Sequence, residues 1–267
     1  MGKDAEANRE GRPKPATSAG VESGARESLI RLAFLRGADP ATVATAAPLA
    51  RWLAVDAGGV VLDFGDASND VFLITGGLVR VIVLTPLGQE FILGDLGPND
   101  VFGEMAAIEG VPRSASVTAL RATRLCRIPA TAFLDLALSS RAVALRLLQL
   151  LAARLRLQSE RMAEIAILPA RLRLAADLLR LSRPRERGSG RVLSPPPPQH
   201  VLAARVGARR ETVSLALADL QREGLVEVSP RAIALPRPAA LRAAVDARLQ
   251  AGTGAAAVAR RPKGPAR

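Results

Sequence analysis

Between Val60 and Arg127 the chain repeats one device, a short run that is apolar or alternates apolar with polar, closed by a turn of Gly, Asp, Asn or Pro. The runs are Val60-Val61-Leu62, Val71 to Ile74, Leu78 to Leu84, Glu90 to Leu93, Val101-Phe102, Ser116 to Ala119 and Leu125 to Ile128. The turn signals are Gly58-Gly59, Asp66 to Asp70, Gly76-Gly77, Pro86-Leu87-Gly88 and Gly97-Pro98-Asn99-Asp100. Short strands of period two at even spacing predict an antiparallel barrel or roll. After Pro129 the period becomes helical, first over Ala130 to Leu138 and then without a break from Ser139 to about Leu168. A β-roll that feeds a long helix is an α+β architecture, and it fixes where the rest of the chain must be placed.

The long helix is the second constraint. Leu148, Leu151, Leu155, Gln158, Met162 and Ile165 recur at three- and four-residue intervals, the spacing of a two-stranded coiled-coil seam. A second row, Leu147, Leu150 and Leu157, faces another side and is expected to pack on the roll. Arg146, Arg154, Arg156, Glu160 and Arg161 leave polar faces, which argues against a helix buried all round in a monomer. Residues 139–168 are therefore read as a homodimerisation helix. Gln158 stands in the seam, where an amide needs a partner: its symmetry mate, fixing register, or a ligand.

Charge divides the chain at the end of that helix. Residues 1–168 carry 18 Lys/Arg and 18 Asp/Glu, whereas 169–267 carry 19 and 7, so the net charge of +12 lies in the C-terminal part. A neutral part followed by a basic one predicts a sensing module joined to a module that binds a polyanion, most simply nucleic acid. Pro169 permits a new helix from Ala170 to Leu181, and Ser182 to Pro198 reads as a linker with a brief strand at Arg191-Val192-Leu193. Gln199 to Glu223 gives two helices joined at Gly207-Ala208, with Ala203, Gly207 and Val213 as the small, turning and core positions of a helix-turn-helix. Arg210 suits guanine O6 and N7, Glu211 suits cytosine N4, and Arg209, Thr212 and Ser214 are placed for phosphates. His200 is read as a backbone or phosphate contact, and Val226 to Leu235 as a wing.

The run Phe102-Gly103-Glu104-Met105-Ala106-Ala107-Ile108-Glu109-Gly110-Val111-Pro112-Arg113-Ser114-Ala115-Ser116-Val117 reads as a glycine turn, a short helix, a Gly-Val-Pro turn and a return into strand. It brings a carboxylate and a guanidinium to one place. Gly103 allows close backbone approach, Glu104 accepts from a hydroxyl, Arg113 offers a fork for phosphate oxygens, and Ser114 adds a hydroxyl. Met105 opens the short helix there, whose N-terminus favours an anion. The other reading of the same residues is a structural turn in which Glu104 and Arg113 pair with each other.

This run resembles the phosphate-binding cassette of cyclic-nucleotide-binding domains, and Leu73-Ile74-Thr75-Gly76-Gly77-Leu78-Val79-Arg80-Val81 resembles the glycine-centred hairpin of their β-roll. Arg209 to Val226 resembles the recognition helix and wing entry of Crp/Fnr transcription regulators. The resemblance implies a jelly-roll-like sensor over 27–138, the dimerisation helix and a winged helix-turn-helix over 169–249. It implies cyclic AMP or cyclic GMP as ligand, with Glu104 on the ribose 2′-hydroxyl, Gly103 and Ser114 near the cyclic phosphate, and Arg113 on its charge. Gln158 and Ser159 would reach the purine base, one from each subunit. Implied partners are a double-stranded DNA operator and RNA polymerase. The sequence departs from the family where cyclic-AMP binders commonly carry Thr-Ser, at Gln158-Ser159, at Arg209 in place of Ser, and at Leu215 in place of a second base-reading Arg. A same-fold regulator that binds DNA independently of a nucleotide is the alternative.

Composition narrows the chemistry. The single cysteine, Cys126, reads as a core residue and excludes the iron–sulfur sensing of the Fnr branch; the single histidine, His200, leaves no His-ligated haem in the sensor part. No Gly-x-Ser-x-Gly elbow, Walker loop or His-rich metal motif is present, so an enzyme is not expected. With no long uncharged apolar run and no signal-peptide order at the N-terminus, the expected location is the cytoplasm, without membrane contact. Residues 1–26 and 250–267 are expected to be disordered tails, the latter basic. Between the first tail and the strands, helices are expected from Glu27, with Leu29, Leu32, Ala33 and Leu35 on one face, and over Ala41 to Leu53, with Trp52 as a core anchor.

Overall fold

The computed structural model describes residues 29–85, 89–186 and 189–259. The expected tail over 1–26, residues 260–267 and the Pro86-Leu87-Gly88 turn lie outside the described residues. The chain forms two compact units, divided within the long helix: the first ends at Ala152 and the second begins at Ala153.

The first unit opens with 3-10 turns at Leu29–Arg31 and Ala33–Leu35, then α1 (Pro40–Ala46) and a further 3-10 turn at Ala47–Leu49. The Asp39 carboxylate caps α1 by accepting from the Thr42 amide at 2.8 Å, with Pro40 at the first helical position, which needs no donor. The strands are β1 (Arg51–Val55), β2 (Val60–Leu62), β3 (Val71–Gly76), β4 (Val79–Leu84), β5 (Glu90–Leu96), β6 (Val101–Phe102), then, after α2 (Glu104–Glu109), β7 (Ser116–Ala119) and β8 (Thr123–Ile128). They form two antiparallel sheets, ordered β1-β8-β3-β6 and β2-β7-β4-β5. Phe72, Ile74, Phe102 and Leu125 pack with Leu62, Val79 and Val117 in one core, where the Phe72 and Phe102 rings stack at 5.1 Å. Val71, Leu73, Val101, Cys126 and Ile128, alternate residues of the same strands, belong to a second core with α1, α3 (Ala130–Leu138) and the start of α4 (Arg141–Ile167). That double burial explains why β3 reads as an unbroken apolar run.

Two expectations in this region are corrected. The helix from Glu27 is a pair of 3-10 turns in the described part, interrupted by Gly37 and Pro40 before it gains length. The helix expected over Ala41 to Leu53 stops at Ala46, and Arg51–Val55 is a strand, paired Trp52↔Cys126 and Leu53↔Leu125. A β-strand partner 74 positions away in the sequence outweighs local alanine propensity, as tertiary pairing does. Trp52 still serves a core, half-buried against the helical side of the first sheet.

The second unit holds the rest of α4, α5 (Ala170–Leu181), β9 (Arg183–Pro184), β10 (Arg191–Leu193), α6 (Gln199–Val206), α7 (Arg210–Arg222), β11 (Glu227–Val228), β12 (Ile233–Leu235) and α8 (Pro238–Ala259). One sheet, ordered β11-β12-β10-β9, carries the wing. Leu174, Leu178, Leu202, Val213, Leu217, Leu220, Ile233, Leu235 and Leu241 form its core. The helix α8 corrects the tail expected from 250, since it runs on to Ala259. Alanine is the best helix former, and buried Leu241 and Val245 anchor the first turns. Gly252 lets α8 close on the end of α4: a Cβ there would stand 2.3 Å from Ile167 Cγ2. Among the described residues no single helix is long and apolar enough to cross a membrane.

Candidate functional site

In the first unit the cassette is built around the Arg113 guanidinium, which is 3% exposed. The loop 63–70 wraps it from both sides. Gly65 N–H donates to Arg113 O and Arg113 N–H to Asp66 O, each at 2.9 Å. Its side chain donates from Nε to Ser68 Oγ at 3.1 Å, from Nη1 to Gly103 O at 2.9 Å and from Nη2 to Asp70 O at 2.7 Å. Three of its five side-chain N–H groups are used in these bonds. Burial pushes the Arg113 pKa down from its usual value, while the carboxylates of Asp70, Asp66 and Glu104 pull it back. Asp70 is itself held by Arg127, with Oδ2 2.7 Å from Nη2.

Gly103 makes this arrangement possible. Its φ of +83° is left-handed, and a Cβ would fall 2.8 Å from both Arg113 Nη1 and Asp70 O. Glu104, the first residue of α2, is buried at 2% exposed and lies close enough to Arg113 for its charge to act on the guanidinium. Met105 and Ser114 are exposed, with Ser114 Oγ 3.9 Å from Met105 Sδ. The structure thus brings Gly103, Glu104, Met105, Arg113 and Ser114 together, with the two charged groups inside and the hydroxyl at the rim. Reading the sequence missed Ser68 and Asp70, which it treated only as turn residues. Their signal was three carboxylates, Asp63, Asp66 and Asp70, crowded before a strand that enters a core.

The long helix divides its apolar residues differently from the sequence expectation. Leu147 is buried and Leu150 half-buried in the first unit's core, as expected, but Leu151 joins them there. The large apolar side chains left exposed are Leu145, Leu148, Leu155, Met162 and Ile165, the last four from the expected seam, with Ala152 and Ser159 completing a three-four spacing from Leu145 to Met162. Two rows of leucine overlap in this sequence, and Leu151 fits either until the roll claims one side. Gln158 and Ser159 are both exposed, and Ser159 Oγ donates back to Leu155 O at 2.9 Å.

In the second unit Gly207 ends α6 in the left-handed region, φ +60°, and Ala208 N–H donates to Ala203 O at 3.1 Å. Arg209 is the N-cap residue of α7, whose buried side is Val213, Ala216, Leu217 and Leu220. Arg209, Arg210, Glu211, Thr212 and Ser214 are all exposed, as is His200 on α6. The wing tip is closed by Ser229, which donates to Ala232 O and accepts from Ala232 N–H at 3.1 Å, leaving Arg231 exposed.

A buried ionic network underpins the two helices. Asp177 on α5 is 0% exposed; Arg205 of α6 donates to it from Nε at 2.8 Å and from Nη2 at 3.3 Å. Arg161 Nη2 lies 3.6 Å and Arg180 Nη2 3.5 Å from the same carboxylate. Arg180 also grips Glu164 of α4 with both terminal nitrogens, at 2.5 and 3.0 Å. Burial opposes charge on Arg180, but its bonds to Glu164 and the charge of Asp177 outweigh burial and raise its pKa; for Arg161 burial prevails and the pKa is lowered.

Comparison with known proteins gives two family-model matches, a cyclic nucleotide-binding domain over residues 52–140 and a Crp-like helix-turn-helix domain over 172–244. The chain is 37% identical over 177 residues to a cyclic AMP receptor protein of Thermus thermophilus, covering 66% of this chain and 79% of that one. It is 28% identical over 210 residues, 78% of this chain and 93% of the other, to a CRP-like cAMP-activated global transcriptional regulator of Mycobacterium tuberculosis. Among solved structures it matches a CRP-family transcriptional regulator of Thermus thermophilus with TM-score 0.58 at 26% identity, over 73% of this chain and 97% of that one.

Proposed function

The chain is a DNA-binding transcription regulator of the Crp/Fnr family, and from that premise we propose that it is a homodimer whose operator affinity is set by a cyclic purine nucleotide held in the β-roll. One observation carries the ligand reading: Glu104 and Arg113, at 2% and 3% exposed, are both held inside the roll behind a left-handed glycine. Two buried charges of opposite sign suit a ligand that presents a hydroxyl and a phosphate, with Ser114 at the rim as a further donor. The relatives named for cyclic AMP support the same ligand class. The single cysteine and single histidine favour a nucleotide over an iron–sulfur cluster or a haem. Action is through binding, in the cytoplasm, with the operator and RNA polymerase as partners and no catalysis.

The test is calorimetric titration with cyclic AMP and cyclic GMP, followed by operator binding with and without the one that binds. Coupling between two sites is typically worth about 1–3 kcal/mol, so saturating nucleotide should tighten operator binding by roughly 5–150-fold. Linkage then requires the operator to tighten nucleotide binding by the same factor. A second reading is favoured by the hydrogen bonds that Arg113 already makes to Gly103 O, Asp70 O and Ser68 Oγ. In it the cassette is a structural strut and DNA binding is independent of nucleotide; equal operator affinity with and without every cyclic purine nucleotide selects it.

The homodimer reading rests on the exposed row of α4. Leu155 is 70% and Met162 73% exposed, far from the pattern of a helix that has met its partner. Leu155→Glu places like charges across that seam, and the expected result is a monomer by sedimentation with loss of operator binding. A dimeric Leu155→Glu protein rejects the seam.

Base reading is assigned to Arg210 and Glu211 at the front of α7. Arg210→Ala is expected to weaken the cognate site by roughly 1–3 kcal/mol and to relax preference at one base pair, while Arg209→Ala weakens all sequences alike. Equal losses on random DNA from both variants reduce Arg210 to a phosphate contact.

A further inference from the structure

The helix α7 turns by about 100° per residue, so its buried residues Val213, Ala216, Leu217 and Leu220 define one side and the opposite direction is fixed by geometry. That direction is taken by Glu211, Leu215 and Ala218, all exposed. Leu215 is 70% exposed, so the fold leaves a large apolar side chain unused at the centre of the face presented to the partner. It has no donor for a phosphate and no hydrogen bond to offer a base. On the major-groove edge of DNA the matching apolar group is the C5 methyl of thymine.

We propose that Leu215 is a specificity-determining residue of the operator, packing its side chain on a thymine C5 methyl in the major groove. This rests on α7 being the base-reading helix, as proposed above. Leu215 follows Glu211 by four residues, a rise of about 6 Å along the helix. With base pairs about 3.4 Å apart, its thymine lies roughly two base pairs along the groove from the base that Glu211 reads. Ala218 on the same line adds little bulk, so the helix backbone approaches the base edges closely enough for a branched four-carbon side chain to reach a methyl group.

The experiment begins by selecting sites from random duplex DNA with the purified full-length protein, in the presence of whichever cyclic nucleotide tightens binding, or without one if none does. Each thymine of the selected half-site is then replaced by deoxyuridine, which removes only the methyl group. At one position per half-site the wild-type protein is expected to lose about four-fold in affinity, the worth of one buried methyl group, and about fifteen-fold when both half-sites are changed. Leu215→Ala, a change on the surface that leaves the core intact, is expected to bind thymine and deoxyuridine sites equally while keeping its preference at the Arg210 position. Wild-type protein that tolerates deoxyuridine at every position overturns the proposal. So does Leu215→Ala protein that still discriminates. Failure to select any sequence overturns the base-reading assignment of α7 itself, a result distinct from a selected site that ignores the methyl group.

Discussion

Asp177→Ala is expected to destabilise the second unit by about 3–5 kcal/mol, the loss typical when one member of a buried ionic cluster is removed. The reason lies in what stays behind. Arg205 loses both of its bonds to the carboxylate, and Arg161 and Arg180 lose the negative charge 3.6 and 3.5 Å away. Arg180 keeps its bonds to Glu164, whose charge also acts on Arg161, but the fully buried carboxylate that Arg205, Arg161 and Arg180 share is gone. A domain is held by roughly 5–15 kcal/mol in all, so the variant should unfold at a much lower urea concentration. Operator binding should fall with it, since α6 is tied to α5 through this carboxylate and sets the start of α7. Asp219→Ala provides the contrast, because its pair with Arg222 is 44% and 74% exposed and should contribute less than about 1 kcal/mol. If urea unfolding of Asp177→Ala matches that of Asp219→Ala, the network is not what holds these helices together.

Arg113→Leu is expected to affect folding as well as ligand binding. The substitution leaves the carbonyl oxygens of Gly103 and Asp70 without their donor in a partly buried place and releases the Ser68 hydroxyl, a loss on the order of 3 kcal/mol for the first unit. Gly103→Ala should give a related defect by another route, because its Cβ collides with the same guanidinium and with a backbone oxygen that cannot move aside. Thermal unfolding measured without nucleotide separates the two contributions of Arg113. A lowered midpoint in the absence of nucleotide reports the strut, and loss of the further rise on adding nucleotide reports the ligand contact. An unchanged midpoint without nucleotide would falsify the strut.

The sequence by itself determined the parts whose signal is local. Period-two runs between glycine turns placed seven of the eight strands of the roll, because a strand with a buried face must alternate and a reversal needs residues that tolerate it. Gly103, Glu104, Arg113 and Ser114 were legible as one cassette because they sit within a dozen positions of each other, and Gly207 with Val213 marked the helix-turn-helix for the same reason. What only the tertiary structure decided involves partners distant along the chain. Arg51–Val55 became a strand because β8 offered it an edge, against the helical propensity of the residues before it. Leu151 was drawn to the roll rather than to the exposed row, a choice that periodicity cannot make when two apolar rows overlap on one helix. Two of the three side-chain acceptors of Arg113 lie 43 and 45 residues away in Asp70 and Ser68, and Asp177 meets Arg205 across 28. A charge in a sequence announces that it needs a partner, through the cost of burying it alone, but which carboxylate or carbonyl meets that need is set by the packing that brings them together.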